Sequence, residues 1–154
     1  MSWKSNGRWN LQHKAEMEGF IMKYTITDYF GDHIELEPHL ELYTVHDFMG
    51  REMPGLAIQL YFVDEEFGIP ELYEDLTVSF GEFIGLRNAA YIDTNNCYFA
   101  QQLLEQGIAK DTGLKKHSGF CEYPLWVFEE DFLLEIGREN YEKYRAAFDT
   151  YSPF

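Results

Sequence analysis

Between residues 24 and 86, acidic side chains alternate with apolar ones in a segment that is almost free of basic residues. The segment holds fourteen Asp and Glu residues against one basic residue, Arg51, and so carries most of the formal net charge of −15. Alternation with a period of two predicts β-strands with an apolar face and a carboxylate face. We therefore expect a folded sheet with an acidic surface, and not a disordered acidic tail.

The composition indicates one folded domain. The chain has 154 residues, of which 45% are hydrophobic and 18% aromatic, enough for a packed core. Residues 1–21 are more basic and are expected to form a peripheral leader or extension, with residues 22–154 as the domain. Cys97 and Cys121 are expected to be small buried hydrophobes. With no signal-like or membrane-spanning apolar run, the sequence predicts a reduced cytoplasmic protein.

Strand patterns fill the central half of the chain. Residues 34–37 and 40–43 alternate on either side of Pro38, and residues 56–63 give the strongest strand pattern. A turn-rich acidic connection, 64–70, leads to residues 73–80 as the hairpin partner of that strand. Residues 121–128 predict a further strand, whereas 108–119 are expected to be a polar connector.

Two helices are expected after these strands. The first begins at Asn95 or Asn96 and ends near Gly107. The second covers residues 129–150, with a break possible at Gly137. Because the helices follow the strands instead of alternating with them, the predicted class is α+β. We expect one antiparallel sheet of about five or six strands with two helices, the longer one C-terminal.

The acidic surface is the candidate site, and its most natural partner is a basic protein surface. Carboxylates repel nucleic acid and anionic membranes, so direct binding to either is not expected. Aromatic side chains near the acids would supply buried anchors that charge alone does not. The candidate partner-binding residues are Asp64, Glu65, Glu66, Glu71, Glu74, Asp75, Glu82, Phe67, Tyr61 and Tyr73.

Other chemistries have weaker sequence support. His33, His39 and His46 match no compact metal-binding spacing. His117, Ser118 and Cys121 raise the possibility of a nucleophile, but sequence proximity does not provide the base and the orienting group that it needs. Carboxylates could also hold Mg²⁺, yet no calcium-loop pattern is present. No cofactor, metal ligand or catalytic residue is predicted.

Several motifs between residues 55 and 128 resemble a known family. They are Gly55-Leu56-Ala57-Ile58-Gln59-Leu60, Asp75-Leu76-Thr77-Val78, Ile92-Asp93-Thr94-Asn95-Asn96, Gly107-Ile108-Ala109-Lys110-Asp111-Thr112-Gly113 and Ser118-Gly119-Phe120-Cys121-Glu122-Tyr123-Pro124-Leu125. Together they resemble a small bacterial family of unknown function found on plasmids and conjugative elements of Firmicutes. The resemblance implies a role in element maintenance or in countering host defence, and it assigns no catalytic residue.

Three functional hypotheses follow. The first is a non-enzymatic acidic inhibitor of a nucleic-acid-targeting host enzyme, of the anti-CRISPR or anti-restriction type, which mimics a phosphate backbone and occupies the basic channel of a CRISPR effector or restriction nuclease. The second is an accessory or regulatory protein of a mobile element with an ordinary protein–protein interface. The third is a small enzyme with a carboxylate–metal site. The sequence leaves the oligomeric state open.

Overall fold

The fold is α+β, with two antiparallel sheets in place of the single sheet that was predicted. The computed structural model describes residues 22–63, 66 and 68–151; the predicted leader, 1–21, lies outside them. The N-terminal sheet contains, in order, β1 (Tyr24–Thr27), β2 (His33–His46), β3 (Glu52–Val63) and β4 (Pro70–Asp75). The C-terminal sheet has the order β5-β6-β8-β7 and contains β5 (Thr77–Val78), β6 (Ala89–Ile92), β7 (Ala109–Ser118) and β8 (Cys121–Phe128).

The two sheets meet at Leu76, which is fully buried. Its backbone N–H donates to the Ile58 carbonyl of β3 at 2.9 Å, and its carbonyl accepts from the Asp93 N–H, beyond β6, also at 2.9 Å. A strand that passes from one sheet to another forms a corner between them. The predicted strand 73–80 is therefore divided at Leu76, and this division explains why the expectation of one larger sheet was wrong.

β2 is one continuous strand through Pro38, where the sequence predicted two strands. Its residues 33–36 pair with β1, and residues 37–46 pair with β3. Pro38 lies opposite Leu60 and beyond the end of the pairing with β1. The missing N–H therefore removes no hydrogen bond to β1, which is why proline is tolerated here.

Residues 109–118 form the strand β7, although their polar composition predicted a connector. β7 pairs with β8 and forms the end of the C-terminal sheet, where many of its side chains reach solvent. The pairing is interrupted between Asp111 and Lys115, and Gly113 there has a φ of +85°. An exposed edge strand with a bulge lacks the apolar alternation that identifies buried strands.

Three short helices lie within the described residues: α1 (Ala100–Glu105), α2 (Glu130–Gly137) and α3 (Glu139–Asp149). α1 begins later than predicted, because Asn96 belongs to a turn that precedes the helix. In this turn, the backbone N–H and the Nδ2 of Asn96 donate hydrogen bonds to the Asp93 carboxylate. The predicted long C-terminal helix is broken after Gly137. Arg138 joins α2 to α3 with φ 49° and ψ −115°, outside the helical region.

The core lies between the sheets and under the helices. Its large buried side chains are Leu36, Leu40, Leu56, Ile58, Leu60, Ile92, Phe99, Trp126, Phe128, Phe132, Leu133, Tyr141 and Tyr144. α1 also covers the outer edge of β1, since the Gln102 side chain bonds both Thr27 N–H at 2.8 Å and Thr27 carbonyl at 3.0 Å. Gln106 Nε2 donates to the Thr25 carbonyl at 2.8 Å. One edge of the N-terminal sheet is thus closed by amide side chains.

Candidate partner-binding surface

The opposite edge of the N-terminal sheet is acidic. β4 forms this edge and carries Glu71, Glu74 and Asp75, which we call the acidic edge. Asp75 lies opposite Gln59 and Glu71 opposite Phe62, so the sheet fixes their register. Among the described residues, no ion pair joins these three carboxylates to a lysine or arginine. Charged side chains on an edge strand also prevent unwanted pairing with strands of other molecules. The three carboxylates can serve this purpose whether or not they bind a partner.

The structure brings only some of the predicted site residues together. Glu66 is exposed, and Asp64, Glu65 and Phe67 lie outside the described residues. Tyr61 lies opposite Glu37 on one side and Leu72 of β4 on the other. Leu72 is 49% exposed, so Tyr61 and Leu72 together form an apolar patch beside the acidic edge.

Glu82 does not join the acidic edge. Glu82 forms a β-bridge to His46, and His46 pairs with the first residue of β3. β4, in contrast, pairs with the last five residues of β3. Its carboxylate also contacts Lys116 Nζ of β7 at 2.7 Å. Glu82 therefore lies at the end of β3 that is far from the acidic edge, next to Lys116 of the C-terminal sheet.

Tyr73 faces inward and does not present its ring as an exposed anchor. The ring packs against Phe62 and Phe99, with centroid separations of 6.0 and 5.6 Å. Burial raises the pKa of Tyr73 well above its usual range, and the neighbouring Tyr98 hydroxyl and the charge of Asp28 add to the effect. Its hydroxyl lies 3.4 Å from that of Tyr98. Tyr73 thus connects the acidic edge to a second group of aromatic residues.

This second group is the stacked pair Tyr29 and Tyr98, which we call the aromatic platform. The ring centroids are 3.9 Å apart and the ring planes differ by 20°. Tyr29 lies in the turn between β1 and β2 and is 78% exposed, and the next residue, Phe30, is 89% exposed. Neither Tyr29 nor Tyr98 was among the site residues predicted from the sequence. Adjacent aromatics within an Asp-Tyr-Phe-Gly-Asp turn were the available signal, because a turn of this kind cannot bury both rings.

Not every acid of the segment is at the surface. The Asp47 side chain is only 1% exposed and lies 2.8 Å from Arg51 Nε. Burial alone would raise the pKa of Asp47, but hydrogen bonds donated by the Arg51 and Met49 backbone and by the Arg51 side chain outweigh it and lower the pKa. Arg51, the single basic residue of the segment, therefore serves an internal turn.

The other chemistries considered from the sequence have no assembled site among the described residues. No three His, Cys, Asp or Glu side chains of residues 22–63, 66 and 68–151 come together as a metal-binding group. His117 Nε2 lies 2.9 Å from a Glu122 carboxylate oxygen. Cys97 is buried and Cys121 half-buried, and both are free thiols. In this part of the chain, every helix is too short or too polar to cross a membrane.

Comparison with known proteins identifies a family but no function. The model of a domain of unknown function, DUF4313, matches residues 44–148, a range that includes the acidic edge and Tyr98 but not the Tyr29 turn. No curated protein and no solved structure matches the chain. Because the match covers more than half of the chain, this protein belongs to the DUF4313 family of domains of unknown function.

Proposed function

We propose that this protein is a non-enzymatic acidic inhibitor that binds the nucleic-acid channel of a host defence enzyme, a CRISPR effector or a restriction nuclease. Carboxylates of the N-terminal sheet take the place of backbone phosphates on the basic surface of the enzyme. We further propose that the protein acts in the cytoplasm and is encoded on a mobile element of Firmicutes. An incoming element of this kind gains from blocking such an enzyme.

One observation carries the proposal: charge compensation differs between the two halves of the molecule. In the C-terminal half, several acids are paired with local cations, as in Arg87–Asp149 and Arg145–Glu130 at 2.6 Å and Lys115–Glu122 at 3.4 Å. In the N-terminal sheet, exposed Glu35, Glu41, Glu71 and Asp75 have no lysine or arginine partner among the described residues.

The geometry of the sheet suits a mimic of a charged backbone. Glu35 and Glu41 are exposed on the same face of β2, and Glu37 between them is buried and lies 3.8 Å from Lys23 Nζ. Glu35 and Glu41 are six residues apart, or about 20 Å along the strand, so they would replace phosphates that are several nucleotides apart. Such a surface would steer encounter with a basic channel and make binding sensitive to salt.

The decisive experiment reverses the acidic edge. The triple variant Glu71→Lys, Glu74→Lys and Asp75→Lys is compared with a control that has the same change in net charge, Glu105→Lys, Asp131→Lys and Glu139→Lys. Each protein is used as bait in lysates that contain CRISPR effectors with guide RNA or restriction enzymes with DNA. We expect the wild type and the control to capture a nucleic-acid enzyme that salt or its own nucleic acid releases. The edge variant should bind at least about tenfold more weakly, or about 1.4 kcal/mol.

Equal loss of capture in both triple variants would mean that net charge alone explains the effect. Unchanged capture by the edge variant would exclude phosphate mimicry through β4.

The second candidate function is an accessory protein of a mobile element with an ordinary protein–protein interface. The observation that favours it is the β7–β8 hairpin, where Phe120 in the turn is fully exposed and Leu114 within β7 is 61% exposed. A partner captured independently of salt and lost in Phe120→Ala would support this alternative.

A further inference from the structure

The turn that carries Tyr29 is held in one conformation by hydrogen bonds from its backbone N–H groups to the Asp28 side chain. Asp28 Oδ1 accepts hydrogen bonds from the Phe30 N–H at 2.9 Å and from the Asp32 N–H at 2.8 Å. Gly31 has a φ of +86°, a value that glycine adopts without strain. The exposure of Tyr29 is therefore a fixed feature of the turn.

The stack beneath Tyr29 is anchored in the core. Tyr98 contacts Phe99 edge-on, with ring centroids 5.2 Å apart, and Phe99 is buried. The Tyr98 hydroxyl lies 3.4 Å from the Tyr73 hydroxyl of β4. Tyr29 thus rests on a supported ring and presents its other side outward, at a fixed position relative to the acidic edge. A preorganised aromatic surface of this kind loses little conformational entropy on binding.

Among the described residues, lysine and arginine side chains stack on rings other than those of the platform. Arg51 lies over Tyr151 at 5.0 Å, Lys116 over Phe80 at 5.1 Å, and Arg145 over Tyr141 at 5.5 Å. Within the described residues, no lysine or arginine lies over Tyr29 or Tyr98. The platform is thus an exposed aromatic surface whose turn also carries Asp28 and Asp32, and no lysine or arginine of the described residues stacks on it.

We propose that the aromatic platform receives an arginine side chain of the protein partner, with the guanidinium stacked on Tyr29 and its N–H groups directed to the carboxylates of Asp28 and Asp32. Arginine fits better than lysine because its planar guanidinium stacks on aromatic rings and forms paired hydrogen bonds with carboxylates. The surrounding negative charge disfavours a stacked nucleotide. The inference rests on the proposed function and deepens it, because basic nucleic-acid channels are rich in arginine.

The test uses the full chain and a peptide probe that needs no nuclease. A short peptide with two arginines is titrated into the protein while the ring-proton NMR signals of Tyr29 and Tyr98 are followed. The matched probe has citrulline at both positions, which keeps the shape and removes the charge. We expect saturable shifts at the platform with the arginine peptide, and binding at least about fivefold weaker with the citrulline peptide. Equal binding of both peptides, or no shift at either ring, would overturn the proposal.

Variants separate stacking from general exposure. Tyr29→Ala should weaken binding of the arginine peptide about two- to fivefold, while Tyr29→Phe keeps the ring and should bind nearly as the wild type. Phe120→Ala removes a fully exposed ring from the other sheet and should have no effect. Unchanged binding by Tyr29→Ala, or equal loss in Phe120→Ala, contradicts the platform.

The two proposals fail in different ways. If the platform binds the arginine peptide but no nuclease is captured from lysates, the proposed function fails and the platform stands. If the acidic-edge variant loses a captured nuclease but Tyr29→Ala retains it in full, the platform is not used in that complex.

Discussion

Gly137, the last residue of α2, lies so close to Leu40 of β2 that no Cβ fits between them. A Cβ built on Gly137 would overlap the end of the Leu40 side chain and would lie 3.2 Å from the Cβ atoms of Leu40 and Tyr141. Leu40 is buried in the core, so a packed side chain would have to move to relieve this overlap. Nearby, Asn140 Nδ2 donates to the Leu40 carbonyl at 2.9 Å. Leu40 is therefore the point at which the helical hairpin docks on the N-terminal sheet.

Gly137→Ala should destabilise the protein, although alanine is the better helix former by about 1 kcal/mol. Overpacking of a buried contact typically costs about 1–3 kcal/mol, and we expect the packing cost to exceed the helical gain. Urea unfolding monitored by circular dichroism measures the difference. In a Leu40→Ala background, the cost of Gly137→Ala should disappear, since the overlapping side chain is gone. A stabilised Gly137→Ala protein would contradict the close docking.

Asp47→Asn should destabilise the folded state and reduce its sensitivity to acid. The carboxylate accepts hydrogen bonds from Arg51 N–H and Arg51 Nε, both at 2.8 Å, and from Met49 N–H at 2.9 Å. Because the pKa of Asp47 is lowered on folding, its contribution is present above the ordinary pKa of 3.8 and is lost as the pH falls through the folded-state value. Unfolding midpoints at pH 7, 5 and 3.5 measure this effect.

The matched control for this substitution is Asp75→Asn on exposed β4. It should change the free energy of unfolding by no more than about 0.5 kcal/mol, as for most surface substitutions. Equal effects of the two substitutions would show that the turn around Asp47 does not act as described.

The two cysteines should react with thiol reagents at very different rates. Burial raises the pKa of Cys97 to about 12, with further contributions from the charges of Glu74, Asp93 and Asp75. At pH 8 its thiolate fraction should be lower than that of an ordinary cysteine by about a thousandfold. We expect one rapid equivalent in the native protein, assigned to half-buried Cys121, and a second only after unfolding. Loss of the rapid phase in Cys97→Ser instead of Cys121→Ser would refute this assignment.

Stability should fall in alkaline solution. Burial raises the pKa of Tyr24 to about 12, and the charge of Glu135 adds to the shift. An unfolded tyrosine ionises near pH 10. Between about pH 10 and 12 the unfolded state therefore releases a proton that the folded state retains, and the free energy of unfolding decreases with pH. Urea unfolding at pH 8, 10 and 11 tests this, and Tyr24→Phe should have a shallower decrease. An unchanged slope in that variant would exclude Tyr24 as a source.

Sequence reasoning succeeded where structure depends on neighbouring residues. The strand patterns of residues 56–63 and 121–128 were confirmed, and the position of helices after strands indicated the α+β class. Prediction failed where a residue's environment comes from distant parts of the chain. Polar β7 was missed because it is an edge strand, and the contacts of the Tyr73 ring with Phe62 and Phe99 were not foreseen.

The candidate site divides in the same way. The acidity of the N-terminal half and the alternation of its carboxylates with apolar side chains follow from the sequence alone, since charge and alternation are local properties. The change of sheets at Leu76 depends on tertiary packing, and so does the stacking of Tyr29 on Tyr98, 69 positions further along the chain. Local patterns cannot reveal these features, because which side chains remain exposed depends on which distant elements bury their neighbours.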